Sequence, residues 1–252
     1  MQRNVKNLLR YDIQATDGEL GKVNEFFFDA AAWIVRYLVA ETGDWLSNRK
    51  VLLSPAFLGS LGWESNRLYI KLTKEQVRNS PASDTDKPIS RQHEIELSQY
   101  YAWPTYWGSE ISSDTTPGMA PTIPAVDASA PGHRIPSPEW QNGLHLRSTR
   151  HVIGCQIQAI DGNIGHVDDF ILDDKSWEIR YLVVNTRHWL LGPKVLLAPR
   201  WLKKIDWAMS KVFVESKRES IKNSPPYDPS KGINTDYEGK LYDYYGRLRI
   251  QR

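Results

Sequence analysis

The sequence predicts a mainly β protein: two small antiparallel β-barrels in tandem, each followed by a short C-terminal helix, related by internal duplication. Three observations predict it. The first is a repeat at a constant offset of 144 residues: RYLV at 36–39 returns at 180–183, KVLL at 50–53 at 194–197, NSP at 79–81 at 223–225, and YY at 100–101 at 244–245. Between Ile13/Ile157 and Tyr101/Tyr245 about 35 of roughly 89 pairs are identical, and two copies of so long a period mean a duplicated domain, not a solenoid. The second is a series of short β-type runs separated by turn residues. The third is a closing segment of helix formers in each copy.

Each copy opens with a hairpin signal, ATDGELGKV at 15–23 and AIDGNIGHV at 159–167. Asp-Gly between apolar positions suits a type I′ turn, and the second glycine, Gly21 or Gly165, marks a bulge or a close backbone approach. Alternating runs follow at 23–29 and 167–173, then WIVRYLV at 33–39 and WEIRYLV at 177–183. In that strand Val35, Tyr37 and Val39 are expected on one face, with Arg36, Leu38 and Ala40 on the other. Apolar residues on both faces point to a closed or two-sided environment. The KVLL strands stop at Pro55 and Pro199, since proline cannot donate to a ladder. Segments 68–72 and 212–214 supply one more strand per copy. Thr73 to Gln76 and Ser216 to Glu219 both fit a capping box, and Pro81 and Pro225 stop the short helices that begin there. The stretches 90–101 and 235–245 carry the closing helices.

These signals divide the chain into a first barrel with its helix (1–103), a linker or strap (104–147) and a second barrel with its helix (148–252). The linker is rich in Pro, Gly, Ser and Thr and has little apolar surface to bury. The aromatic cluster at its start, Trp103, Tyr106 and Trp107, is the exception, and is expected to dock on a barrel.

Composition is that of an ordinary soluble domain, with 40% hydrophobic and 25% charged residues. The 32 basic and 30 acidic side chains give a net charge of +2, and no block of like charges argues for a nucleic-acid surface. Cys155 is the only cysteine, so no intrachain disulfide forms, and its partner position holds Tyr11. No apolar run reaches the ~18 residues of a membrane span, and the first residues lack the pattern of a secretory signal. The expectation is a cytoplasmic protein.

Laid out in order, the motifs DG-x-x-G-x-V-x-x-F-x-x-D, W-x-x-RYLV, KVLL-x-P, NSP and a terminal Tyr-Tyr helix resemble a tandem PRC-barrel protein. The resemblance covers both copies and implies two PRC-type β-barrels and no enzyme activity. Relatives of this type include the cytoplasmic domain of the photosynthetic reaction-centre H subunit and the C-terminal domain of the ribosome maturation factor RimM. The resemblance implies a protein-interaction or scaffold module, associated with a membrane electron-transfer complex of the photosynthetic type. The RimM likeness offers RNA or ribosome association as the alternative, supported only by the basic residues of copy two (Lys203, Lys204, Lys211, Lys217, Arg218, Lys222) and by Trp201 and Trp207.

Chemistry is sparse. Asp17/Asp161 and Asp29/Asp173 adjoin turns and are expected to bond their own backbone. Arg36 and Arg180 sit mid-strand and are expected to pair with a carboxylate. Lys50/Lys194 and the tryptophan pairs Trp33/Trp177, Trp45/Trp189 and Trp63/Trp207 are also shared. Only copy two groups His166, Asp168, Asp169, Asp173 and Asp174, with His151 upstream and His188 beyond. A hard divalent ion is the ligand such a group would take. Alternation sends His166 and Asp168 to one face and Asp169 to the other, so a solvated acidic face is favoured over a metal or small-ligand site. No catalytic residue, cofactor or metal ligand is therefore assigned. The candidate protein-interaction residues are the aromatics near the closing helices, Tyr100, Tyr101, Trp103, Tyr106, Trp107, Tyr242, Tyr244 and Tyr245, residue types favoured at interfaces. The partners expected are an unidentified protein, the second barrel of the same chain, and a second copy in a homodimer.

Overall fold

The computed structural model describes residues 1–62, 65–83, 88–107, 145–186 and 193–246. Trp63, Trp189, His188 and the linker between 108 and 144 lie outside them. The protein is mainly β, with two curled sheets. The first half runs β1 (Gln2–Asn4), α1 (Val5–Leu8), β2 (Asp12–Ala15), β3 (Gly18–Asp29), β4 (Ile34–Thr42), β5 (Lys50–Leu53), β6 (Leu58–Gly62), β7 (Arg67–Ile70), α2 (Lys74–Arg78) and α3 (Arg91–Tyr101). The second runs β8 (Leu146–Ser148), α4 (Thr149–Val152), β9 (Gln156–Ala159), β10 (Gly162–Asp173), β11 (Ile179–Asn185), β12 (Lys194–Leu197), β13 (Leu202–Asp206), β14 (Lys211–Val214), α5 (Arg218–Lys222), β15 (Pro226–Tyr227) and α6 (Thr235–Tyr244). Among the described residues no helix is long and apolar enough to cross a membrane.

One sheet has the order β5-β4-β3-β2-β7-β6 and the other β13-β14-β9-β10-β11-β12-β15. Each contains one parallel pair, β2 with β7 and β9 with β14, where the sequence implied antiparallel pairing throughout. β3 and β10 occupy one side of β2 and β9. The strand returning from the β6 or β13 hairpin therefore joins the other side, running the same way.

The long strands β3 and β10 organise the molecule. β2 covers only the first part of β3's edge, at 18–22, and the rest is paired by β8 from the other half, with Phe27 opposite Ser148 and Asp29 opposite Leu146. Reciprocally β9 covers the start of β10, and β1 covers its end, with Gln2 opposite Asp173 and Asn4 opposite Ile171. The two N-terminal arms are thus exchanged between halves. The short helices behind them seal the exchange: Val5, Leu8, Thr149 and Val152 are all at most 1% exposed. Gln2–Asn4 and Lys6 accordingly hydrogen-bond to the second half, although they stand at the start of the first.

The β3–β4 and β10–β11 turns also meet. Val35 donates its amide to the Trp177 carbonyl at 2.8 Å, and Ile179 donates to the Trp33 carbonyl at 2.7 Å. Both tryptophans sit in the left-handed region, φ 57° and 59°, which a bulky residue adopts only where its surroundings hold it. Phe28 lies 6.0 Å from Phe170, and one apolar core runs through both halves.

Local expectations meet three corrections. The opening turns are not type I′: Ala15 pairs with Gly18, so Thr16 and Asp17 are the central residues, and Asp17 does not have positive φ. The Asp-Gly pair is shifted one place, making glycine the first strand residue. Thr73 makes the expected capping box with Gln76, but Ser216 does not cap α5, whose N-cap is Lys217, with no side-chain bond. Val35 packs in the shared core with Leu38 and Ala40, while Tyr37 and Val39 line a second cluster under α3. The reason is a bulge: Tyr37 pairs with Phe27 and Val35 with Phe28, leaving Arg36 unpaired and resetting the alternation. Arg180 occupies the same bulge in β11.

Candidate functional site

The bulge brings Arg36 and Tyr37 under α3, whose Glu94 is fully buried. α3 begins at Ser90, whose side chain accepts from the His93 amide, and its buried edge carries Glu94, Leu97 and Ser98. Four donors converge on the two Glu94 oxygens. Tyr106 donates to Oε2 at 2.7 Å, Tyr37 at 3.2 Å and Arg91 at 3.3 Å, while His145 Nε2 lies 2.6 Å from Oε1. His145 Nε2 is also 3.2 Å from the Tyr106 hydroxyl. Arg36 lies 3.6 Å from Asp29 and stacks over the Tyr106 ring at 4.0 Å, and Arg91 covers Trp107 at 3.9 Å. Burial, then the Glu94 charge, pushes the Tyr37 and Tyr106 hydroxyls well above their ordinary range. Both phenols stay protonated and serve as donors.

This clasp joins the two ends of the linker, for Tyr106 stands at its start and His145 at its end. Tyr106 and His145, which stand on either side of residues 108–144, therefore meet at one place in the fold. The second half repeats the theme with different partners. Tyr181 donates to Glu238 at 2.8 Å, Gln2 of the exchanged arm donates to the same oxygen at 2.8 Å, and Arg180 pairs with Glu178 at 3.4 Å. Arg36 and Arg180 thus form the ion pairs anticipated for them.

A second polar layer ties each arm down. Ser148 donates to buried Glu25, and the corresponding Asn4 donates to Asp169 at 2.9 Å. Asp169 also accepts from the Lys6 amide, yet burial raises its carboxyl above the usual aspartate range. Asp168 is the extra residue of a bulge in β10 and bridges Lys6 and Lys194, each at 2.8 Å. Burial opposes its ionisation, but the two lysines outweigh this and hold its carboxyl below the usual range. Asp174 takes the N-terminal ammonium and Arg3. The acidic group of copy two is therefore not a solvated face; it is the receptor of the N-terminal arm. Among the described residues no three His, Cys, Asp or Glu side chains converge as metal ligands would.

Asp29 and Asp173 bond the turn amides that follow them, as expected. Asp17 and Asp161 do something else: each accepts the first amide of a distant helix, Lys74 and Arg218, at 2.8 Å. The buried Cys155 thiol donates to the His151 carbonyl, and burial raises its pKa. In copy two Lys203 pairs with Glu215 at 3.6 Å, Trp201 is buried, and Arg147 covers Trp207 at 4.5 Å.

The candidate aromatics divide by burial. Trp103 stacks on Tyr101 at 4.9 Å, beneath Phe57, and burial pushes the Tyr101 hydroxyl up to about 12. Tyr242 and Tyr245 pack on Trp201. Tyr106 and Trp107 belong to the clasp. Tyr100 and Tyr244 alone among the eight are exposed, at 39% and 42%, with hydroxyls donating to the Gln76 and Ser220 carbonyls. Sequence reasoning missed Glu94/Glu238, Tyr37/Tyr181 and His145 as a unit. A signal existed: both glutamates recur at the repeat offset, three residues before a buried leucine, on the apolar edge of their helices. The chain matches no protein-family model and no curated protein.

Proposed function

We propose that the chain is a tandem PRC-barrel protein built by internal duplication, and that it works as a non-enzymatic scaffold binding another protein. One observation carries this reading. Glu94, His145, Tyr37 and Tyr106 are bonded to one another, Asp168 and Asp169 hold Lys6 and Asn4 of the exchanged arm, and the Cys155 thiol is bonded to backbone. Such an interlocked body suits presentation of a rigid surface, and the exposed rings of Tyr100 and Tyr244, placed alike at the two closing helices, are the best-formed contacts for a partner. The resemblance to the reaction-centre H subunit domain supports a partner in a membrane-bound electron-transfer complex.

The test is crosslinking of the tagged full chain in its native cells, followed by separation of membrane, ribosomal and soluble fractions and mass spectrometry. Crosslinks to a membrane protein complex are expected, and a Tyr100→Ala/Tyr244→Ala chain should lose them while still melting cooperatively. Recovery on ribosomal particles would replace this reading with RNA association, and a soluble chain without crosslinks would remove it.

A further inference from the structure

We propose that the cleft between the end of α1 and the start of β7 binds a small oxyanion, a carboxylate or a phosphate. The cleft is open, about 430 Å3 in volume, and lined by Asn7, Leu9, Arg10, Tyr11 and Asn66. One of these residues has a backbone conformation that a side chain does not favour. Arg10 has φ 71°, in the left-handed region where a side chain carries a conformational cost. The corresponding residue of the second half is Gly154, at φ 92°. Both do the same backbone work: the Arg10 amide donates to the Val23 carbonyl at 2.7 Å, and the Gly154 amide to the Val167 carbonyl at 2.8 Å. That work needs no side chain, so the guanidinium is carried at a conformational cost that glycine avoids.

Its surroundings leave the guanidinium open to a ligand. Arg10 is exposed, and no carboxylate among the described residues pairs with it. The adjacent Asp12 is engaged by Lys22 at 3.0 Å. Asn7 and Asn66 line the same cleft, and a guanidinium together with side-chain amides supplies the donors that the planar or tetrahedral array of an oxyanion takes. In the second half the corresponding residues are His151, Ile153, Gly154, Cys155 and Ser210, without a guanidinium, so the site occurs once per chain. It does not depend on the scaffold reading.

The experiment is titration of the full chain with sodium phosphate and, separately, sodium acetate at constant ionic strength, read by the thermal midpoint and by backbone amide shifts. A saturable one-site response is expected, with shifts at Arg10 and Asn66. Arg10→Gly places in this half the residue the other half already uses, so it should fold without loss of midpoint while binding at least about tenfold more weakly. Response to acetate alone marks a carboxylate site and response to phosphate alone a phosphate site. No saturable response to either, or an equal response in Arg10→Gly, overturns the proposal.

Discussion

Gly165 stands where a side chain has no room: a Cβ there would lie 1.9 Å from the Asn185 carbonyl oxygen, and Gly21 repeats the contact with Glu41 at 2.1 Å. Here φ, near +151°, adds its own penalty. Gly165→Ala should therefore cost about 3–5 kcal/mol in urea unfolding, because the obstacle is backbone and cannot swing aside. Gly154→Ala is the control: nothing lies within 4 Å of its Cβ, so only the dihedral cost of about 1–2 kcal/mol applies. Equal losses would mean that the close approach is not the cause. The glycine was legible in the sequence because the hairpin pattern broke there. Glu94 was not, since its four donors come from residues as far apart as Tyr37 and His145.

At the scale of elements, the two short helices at corresponding places show how one backbone tolerates two solutions. Both first amides are accepted by an aspartate, Asp17 or Asp161, but α2 adds a complete capping box on Thr73, whereas α5 has Lys217 at the corresponding N-cap with no side-chain bond. Restoring a hydroxyl with Lys217→Thr should stabilise the chain by about 0.5–1 kcal/mol, measured as a raised denaturation midpoint with unchanged slope. No change would mean that the Asp161 bond already satisfies the helix end. The closing helices were read correctly from their helix formers and apolar edge; α3 and α6 begin at Ser90 and Asn234 caps. The arms were missed. Segments of three strand residues and four helical ones carry too little periodicity to be told from an irregular lead-in.

For the whole molecule, the exchanged arms predict that covalent continuity through the linker is dispensable. A protease site introduced between 108 and 144 and then cut should leave the two pieces co-eluting as one folded species, held by the β1–β10 and β3–β8 ladders and by the Glu94 clasp. Separation of the pieces under native conditions would show that the linker, not the exchange, holds the halves together. By itself the sequence determined the repeat, the alternation of short strands and turns, and the closing helices, because each depends on residues near in the chain. Only the tertiary structure decided which long strand each arm completes. The backbone groups on the open edges of β3 and β10 are alike, so pairing rules do not choose between them. The choice is tied to contacts across the halves, among them Lys6 with Asp168, the N-terminal ammonium with Asp174, and Ser148 with Glu25. These charge and hydrogen-bond matches have no spacing along the chain from which they could be read.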